Sequence, residues 1–321
     1  MKKIMVLGGT GFVGAHVCEK LVREGWRVTV PTRRRANARH LLHLPLLTVL
    51  ECNVHDEAAL AAALAGHDAV VNLVAILHGS EASFNKVHVA LPQKLARACR
   101  AARVRQLVHL SALGADALQP QVAPSMYLRS KSQGEAALMQ AAASGAEAPF
   151  ALTILRPSVI FGAEDKLLNL FAALQKVAPF VPLAGADAQF QPVWVEDVAA
   201  TIVTCLDRSE SFGQTYDLCG PRIWTLRELV RLAGSTSGHP RLVLGLPDGL
   251  GWLQAWAMEY VPGAPMSRDN VLSMRLPNTC TAGCVLPFGR AAMPLESVVG
   301  SYLGDGGLRA HYATYRERAR R

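Results

Sequence analysis

The chain has 321 residues, enough for one large domain or two of ordinary size. Half of it is hydrophobic and 18% is charged, which excludes a disordered solvating chain, and 6% aromatic content makes it a poor stacking platform for bases. The net charge of +8 resolves into two clusters: Arg33, Arg34, Arg35 and Arg39 in a stretch without acids, and the segment Arg309–Arg321 with five Arg and one Glu. Two compact clusters suit one bound phosphate and one sticky tail, so nucleic acid is not an expected partner.

In chain order, Lys3–Leu7 reads as a buried strand and Gly14–Glu24 as a helix with Val17, Leu21 and Val22 on one face. Arg27–Val30 and Leu46–Glu51 read as strands, Ala58–Ala65 as a helix and Ala69–Val74 as a strand. Val89–Ala102 is a predicted helix, Gln106–Leu110 a strand, Leu128–Ala143 a helix and Ala151–Leu155 a strand. Strict alternation of this kind predicts an α/β fold of Rossmann type, a doubly wound parallel sheet with helices on both faces.

Beyond Pro157 the pattern loosens. Lys166–Val177 reads as a helix, Val193–Val195 as a strand, Val198–Asp207 as a helix and Gln214–Leu218 as a strand. Thr225 with Glu228 three residues on is a capping box opening another helix, and Arg241–Leu246 is a strand. Residues 1–160 are therefore expected to form a dinucleotide-binding domain, with sheet-completing segments at about 190–235. Residues 161–321 are expected to form a smaller, mixed α/β substrate or lid region.

Seven cysteines without a Cys-x-x-Cys pair are expected to be buried, reduced thiols, with no metal site. The apolar run after Met1-Lys2-Lys3 is too short for a signal peptide, and no segment approaches a spanning helix. The expectation is a cytoplasmic protein, peripheral to the inner face of the cell membrane at most, with weak salt-sensitive attraction of the basic tail to anionic lipid. Trp252 and Trp256 share a helical face with Leu253, which reads as core or lid packing.

Gly8-Gly9-Thr10-Gly11-Phe12-Val13-Gly14 follows the first strand and opens the first helix. Gly8 suits a tight turn, Gly11 lets a pyrophosphate reach the positive helix end, and Gly14 lets the helix pack on the sheet. Where a binder of NAD(H) ends its second strand with an acid, this chain has Val30, Pro31, Thr32, Arg33 and Arg34. A guanidinium suits a 2′-phosphate, so NADP(H) is favoured and NAD(H) stays open. Tyr127 and Lys131 lie four apart on one helix face. A neighbouring ammonium is expected to lower the phenol's pKa, so the pair can pass a proton to or from a substrate oxygen.

These residues resemble the short-chain dehydrogenase/reductase superfamily, of extended or atypical type, over essentially the whole chain. The resemblance rests on the glycine motif, Asn53, Ser111, Tyr127 with Lys131, Arg156-Pro157-Ser158-Val159, and Gln191 to Val198. Gly220-Pro221, Thr225 to Leu229, and Pro262-Gly263 through Ser267 to Val271 are similar to one atypical branch. That branch contains the nucleotide-binding accessory subunit of respiratory complex I and its bacterial relatives. The resemblance implies that Gly8, Gly11 and Gly14 hold the pyrophosphate, with Thr10, Phe12, Val13 and Thr32 among the cofactor contacts. It places Arg33 and Arg34 at the 2′-phosphate, Asn53 and Val54 at the adenine, and Ala75 along the cofactor. It places catalytic Ser111, Tyr127 and Lys131 at ribose and nicotinamide, and Pro157 and Ser158 at the nicotinamide amide.

Two departures bear on activity. Ala112 and Leu113 stand where the family carries a catalytic hydroxyl, and the family's helix Asn is replaced near His88. A missing oxyanion stabiliser typically costs ~10²–10³ in rate. Two functions are thus implied. One is an NADP(H)-dependent oxidoreductase of a small carbonyl, alcohol or quinone-like substrate. The other is a non-catalytic nucleotide-binding accessory or assembly subunit of a complex I-like or quinone-related membrane complex.

Overall fold

The computed structural model describes residues 2–143, 150–261, 266–280 and 285–304, in two compact units. The first unit comprises Met1–Pro157 and Glu196–Leu218, the second Ser158–Val195 and Cys219–Arg321.

Seven strands form the sheet of the first unit: β1 (Lys3–Leu7), β2 (Arg27–Thr32), β3 (Leu47–Glu51), β4 (Ala69–Asn72), β5 (Gln106–Leu110), β6 (Ala151–Pro157) and β7 (Thr215–Leu218). Their spatial order is β3-β2-β1-β4-β5-β6-β7, and every pairing is parallel. This is the doubly wound sheet that the alternation predicts. Its order reverses between β1 and β4, which is where such sheets open a ligand crevice. Leu7 pairs with Asn72 and Asn72 with His109, so the chain leaves β1, β4 and β5 along one edge.

The helices are α1 (Phe12–Arg23), α2 (Glu57–Leu64), α3 (Leu91–Ala101), α4 (Met126–Ala143) and α5 (Val195–Asp207). Strand alternation sends Met5, Leu7, Val70, Leu107 and Ile154 to one face, against Leu60, Leu64, Leu91, Leu95 and Leu138 of α2, α3 and α4. Ile4, Val6, Val71 and Val108, of opposite parity, are buried too, as are Val17 and Leu21 of α1 and Ile202 and Val203 of α5. Glu196 joins α5 to α1 by contacts of 2.5 Å with both His16 Nδ1 and Lys20 Nζ.

A short helix at Glu81–Phe84 and a π-helical turn at Asn85–Ala90 precede α3, where periodicity predicts a helix running from Val89. The turn has a packing partner on α4: a Cβ on Gly134 would lie 2.0 Å from the His88 carbonyl oxygen. Only a residue without a side chain permits that approach.

In the second unit, helices Leu167–Val177, Leu226–Thr236 and Leu295–Leu303 bury Leu168, Ala172, Leu229, Ala233, Leu295 and Val299 around Phe161 and Trp224. The capping box forms: Glu228 N–H donates to Thr225 Oγ1 (3.2 Å) and Thr225 N–H to Glu228 Oε2 (2.7 Å). Two expectations are corrected here. Cys219 and Cys280, expected as reduced thiols, form a disulfide across 61 residues; their Cα atoms are 6.1 Å apart, within bridging range. Of the core and lid alternatives for Trp252 and Trp256, the core is ruled out. The helix Asp248–Met258 buries its small residues Gly251 and Ala255 and turns both rings outward, 39% and 44% exposed. Gly251 allows this close packing, because a Cβ there would already meet Ala184 Cβ at 3.0 Å.

Among the described residues, no helix is long and apolar enough to cross a membrane. Pro262-Gly263, Cys284 and Arg309–Arg321 lie outside the described residues.

Candidate nucleotide and active site

The glycine turn is built by steric necessity. Gly8 has φ +80°, and a Cβ there would crowd the Leu73 carbonyl carbon at 3.1 Å. A Cβ on Gly14 would overlap Gly8 O at 2.2 Å. Gly11 caps α1 without a side-chain hydrogen bond, and the first turn holds no acid. The first N–H groups of α1 have no intrahelical acceptors, which makes this positive helix end a ready anion site. Thr10 lies in the turn, and Phe12 and Val13 open the helix.

A second feature is a cavity of about 490 Å³ lined by Arg33, Glu51, Cys52, Asn53, His55 and Lys86. Arg33 and Asn53, both expected at the cofactor, are brought together here. Arg34 is not at this wall. It precedes a 3₁₀ turn, and its carbonyl accepts from the Thr32 hydroxyl (3.2 Å). Val54 packs against the core cluster and does not line the cavity. Ala75 follows β4, beside a turn in which Val74 N–H donates to Asn72 Oδ1 (3.3 Å). Four of the lining residues are missed by sequence reasoning. Glu51, Cys52 and His55 flank Asn53 at the end of β3, so that position is a signal for them; nothing local marks Lys86.

The third feature lies at the ends of β4 and β5. Lys131 is buried at 2% exposure and donates from Nζ to the Leu110 carbonyl (2.8 Å). Burial pushes its ammonium down to about 8, against a smaller upward pull from Glu135. Tyr127 packs edge-on against Phe84 and His88, with ring centroids 6.2 and 5.6 Å away. Burial pushes the phenol up to about 12, so the expected lowering by Lys131 is corrected. Desolvation of the phenolate dominates, and the ammonium turns to a backbone carbonyl.

His88 takes up a defined place behind Tyr127. Its Nε2 accepts from Ile76 N–H (3.1 Å), which assigns the proton to Nδ1, 2.8 Å from Ser130 Oγ. Burial and the nearby Lys131 push the imidazole down to about 3, so it is neutral. Ser111 donates its N–H to Leu155 O (2.7 Å), while its buried Oγ has no hydrogen-bond partner among the described residues. Ala112 and Leu113 are buried and apolar. Pro157 ends β6 and accepts from Leu113 N–H (3.0 Å). Ser158 begins the second unit, where its hydroxyl lies 2.6 Å from Asn278 Oδ1.

The glycine cradle, the uncapped helix end and the orphaned Ser111 hydroxyl all fit a dinucleotide. Residues 4–219 match the NAD dependent epimerase/dehydratase family, over a stretch that includes the whole seven-stranded sheet except its first residue. The chain belongs to that family.

Its curated relatives widen the picture. It is 33% identical over 235 residues to the mitochondrial NADH dehydrogenase [ubiquinone] 1 alpha subcomplex subunit 9 of Arabidopsis thaliana, covering 71% of this chain and 56% of that protein. The Mus musculus counterpart is 34% identical over 239 residues, covering 70% and 59%. The chain thus spans somewhat over half the length of these two relatives. A Caulobacter vibrioides ceramide reductase is 29% identical over 250 residues, covering 76% and 74%. A UDP-glucuronic acid 4-epimerase from Bacillus cereus superposes with a TM-score of 0.73 at 16% identity, over 94% of this chain and 98% of that one, and shares the fold.

Proposed function

We propose that this family member holds a nicotinamide dinucleotide, NADP(H) ahead of NAD(H), as an accessory or assembly component of a respiratory or quinone-related membrane complex. The observation that carries the non-catalytic part is the buried apolar pair Ala112–Leu113, where the family's hydroxyl would stabilise a developing oxyanion. The subunit 9 relatives supply the kind of complex. Arg33 at the cavity supports the 2′-phosphate. Gly8, Gly11 and Gly14 would hold the pyrophosphate, and Lys131 and Ser111 the ribose. The expected location is the inner face of the cell membrane, with Arg309–Arg321 adding electrostatic attraction.

One observation favours a second reading, an oxidoreductase of a small carbonyl, alcohol or quinone-like substrate. Lys131 and Tyr127 share a helix, and among the described residues the Ser111 hydroxyl has no hydrogen-bond partner. When bound, the nicotinamide supplies hydride chemistry; Tyr127 would hold the proton at the substrate oxygen and Lys131 would orient the sugar.

Complementation of a deletion strain decides between them, after identifying the nucleotide that denaturation releases. Gly11→Val blocks the pyrophosphate approach, and Tyr127→Phe removes only the phenolic hydroxyl. The accessory reading expects a defect with Gly11→Val and normal respiration with Tyr127→Phe. Loss of function in Tyr127→Phe at full nucleotide occupancy overturns it in favour of the oxidoreductase.

A further inference from the structure

We infer that Lys86 is a specificity-determining contact for the 2′-phosphate of the dinucleotide, sharing it with Arg33. The inference rests on the NADP(H) reading above and adds a residue that neither the glycine motif nor the basic loop contains.

Three segments meet at this cavity: the loop after β2, the end of β3 with its following loop, and the π-helical turn Asn85–Ala90. That turn supplies one lining residue, Lys86. His88, two positions on, is buried behind Tyr127, while Lys86 is exposed. Residues two apart on a helical turn face different ways. The same turn therefore serves the proton-transfer end with His88 and the adenosine end with Lys86.

The local charge favours an anion. Arg33 and Lys86 supply two cations and Glu51 one carboxylate, and none of the three forms an ion pair among the described residues. Burial and the surrounding cations disfavour the charged form of His55. Its imidazole is pushed below 6.5 by burial first and then by Lys86, Lys94 and Arg33, cations that converge on one place. Lys94 is already engaged, donating to the His55 carbonyl (2.6 Å), and so steadies the loop. A phosphate monoester carries about −1.5 to −2 at neutral pH. It would give Arg33 and Lys86 the counter-charge they lack, and leave Glu51 as acceptor for a sugar hydroxyl. Arg34, the neighbour that sequence alone pairs with Arg33, does not line the cavity.

The test is calorimetric titration of the full chain, freed of co-purified nucleotide, with NADPH, NADH, 2′,5′-ADP and 5′-AMP. Wild type should bind NADPH ahead of NADH and 2′,5′-ADP ahead of 5′-AMP. Lys86→Ala should weaken NADPH and 2′,5′-ADP about tenfold, the scale of one charge-assisted hydrogen bond, and leave NADH and 5′-AMP unchanged. Lys86→Arg should keep the preference, and Arg34→Ala should keep it too. Lys86 is exposed, so the variants should fold, and equal melting temperatures check this. A Lys86→Ala protein with the wild-type NADPH-to-NADH ratio overturns the inference and leaves the NADP(H) reading standing. A wild type that binds both dinucleotides equally overturns both.

Discussion

His88 Nδ1 lies 2.8 Å from Ser130 Oγ, and Ser130 Oγ in turn donates to the Tyr127 carbonyl at 2.7 Å. Ile76 N–H occupies the other ring nitrogen, so each donor in this relay has an acceptor. The relay clamps the π-helical turn to the first turn of α4 and so sets where the Tyr127 ring stands. In Ser130→Ala the buried His88 N–H loses its acceptor, which should cost about 1–3 kcal/mol. Urea denaturation measures it. Unchanged stability in Ser130→Ala would mean that the clamp is not needed.

Acid should destabilise this protein earlier than its carboxylates require. His88 is pushed from 6.5 to about 3, and His109 well below 6.5, both by burial first. The unfolded chain takes up these protons as pH falls through 6.5, and the folded chain does not. Their contribution is therefore fully present above 6.5 and is lost on acidification, toward about 3 for His88. The slope is up to about 1.4 kcal/mol per pH unit for each imidazole. Burial raises the carboxyls of Asp165 and Asp217, which act in the opposite direction closer to the acid range. Denaturation midpoints from neutral pH down to roughly 5 thus read the histidines. His88→Gln and His109→Gln should each flatten that slope. A slope unaltered in both variants would refute the assignment.

The first strands are legible in the sequence because they are short apolar runs with clear stops: Gly8 closes β1, Arg33 follows β2 and Glu51 ends β3, whereas β4 has no such stop and its apolar run reads on to Val74 although the strand ends at Asn72. Lys3–Leu7 and Gln106–Leu110 read from sequence with the bounds that the structure has. Helix starts are less legible: α1 begins at Phe12, ahead of its buried face, because Gly11 caps it through the backbone alone. The glycine turn is legible because its steric demands are local. Lys86 is not, since its place depends on how the π-helical turn packs against Gly134 of α4. The partnership of Cys219 and Cys280 is equally hidden, because no local spacing links residues that far apart. The direction of the Tyr127 shift escapes for a related reason: spacing places Lys131 on the same face, but not its Nζ on Leu110 O.

Lys131 should trade stability against nucleotide binding. Its ammonium is held down from 10.5 to about 8 by burial, equivalent to about 3 kcal/mol of cost in the charged form at neutral pH. Lys131→Met keeps the chain length and removes the charge, leaving Leu110 O without its donor at a cost of about 1–3 kcal/mol. The two effects nearly cancel, so the nucleotide-free variant should be as stable as wild type or slightly more so. Nucleotide affinity should nevertheless fall by at least about tenfold, as one charged hydrogen-bond donor to the ribose is lost. Thermal melts with and without NADPH measure both. A variant that binds NADPH normally would show that Lys131 is not at the ribose.

The Cys219–Cys280 bridge closes a 61-residue loop, and in the chain-entropy account a loop of that size contributes about 4 kcal/mol. Gln191 spans the same two segments: its Nε2 donates to Gly220 O (2.7 Å), its Oε1 accepts from Cys280 N–H (2.9 Å), and its N–H donates to Asn278 O (3.0 Å). Asn278 Oδ1 in turn holds the Ser158 hydroxyl. The disulfide and this network therefore restrain one arrangement twice. Non-reducing peptide mapping should find Cys219 joined to Cys280, and dithiothreitol should lower stability by about 2–4 kcal/mol without unfolding the sheet. Gln191→Ala should cost more in the reduced protein than in the oxidised one, because the bridge then no longer limits how far the segments part. Equal costs in the two states would show that the bridge and the glutamine act independently, and two free thiols in the mapped protein would remove the bridge from the account altogether.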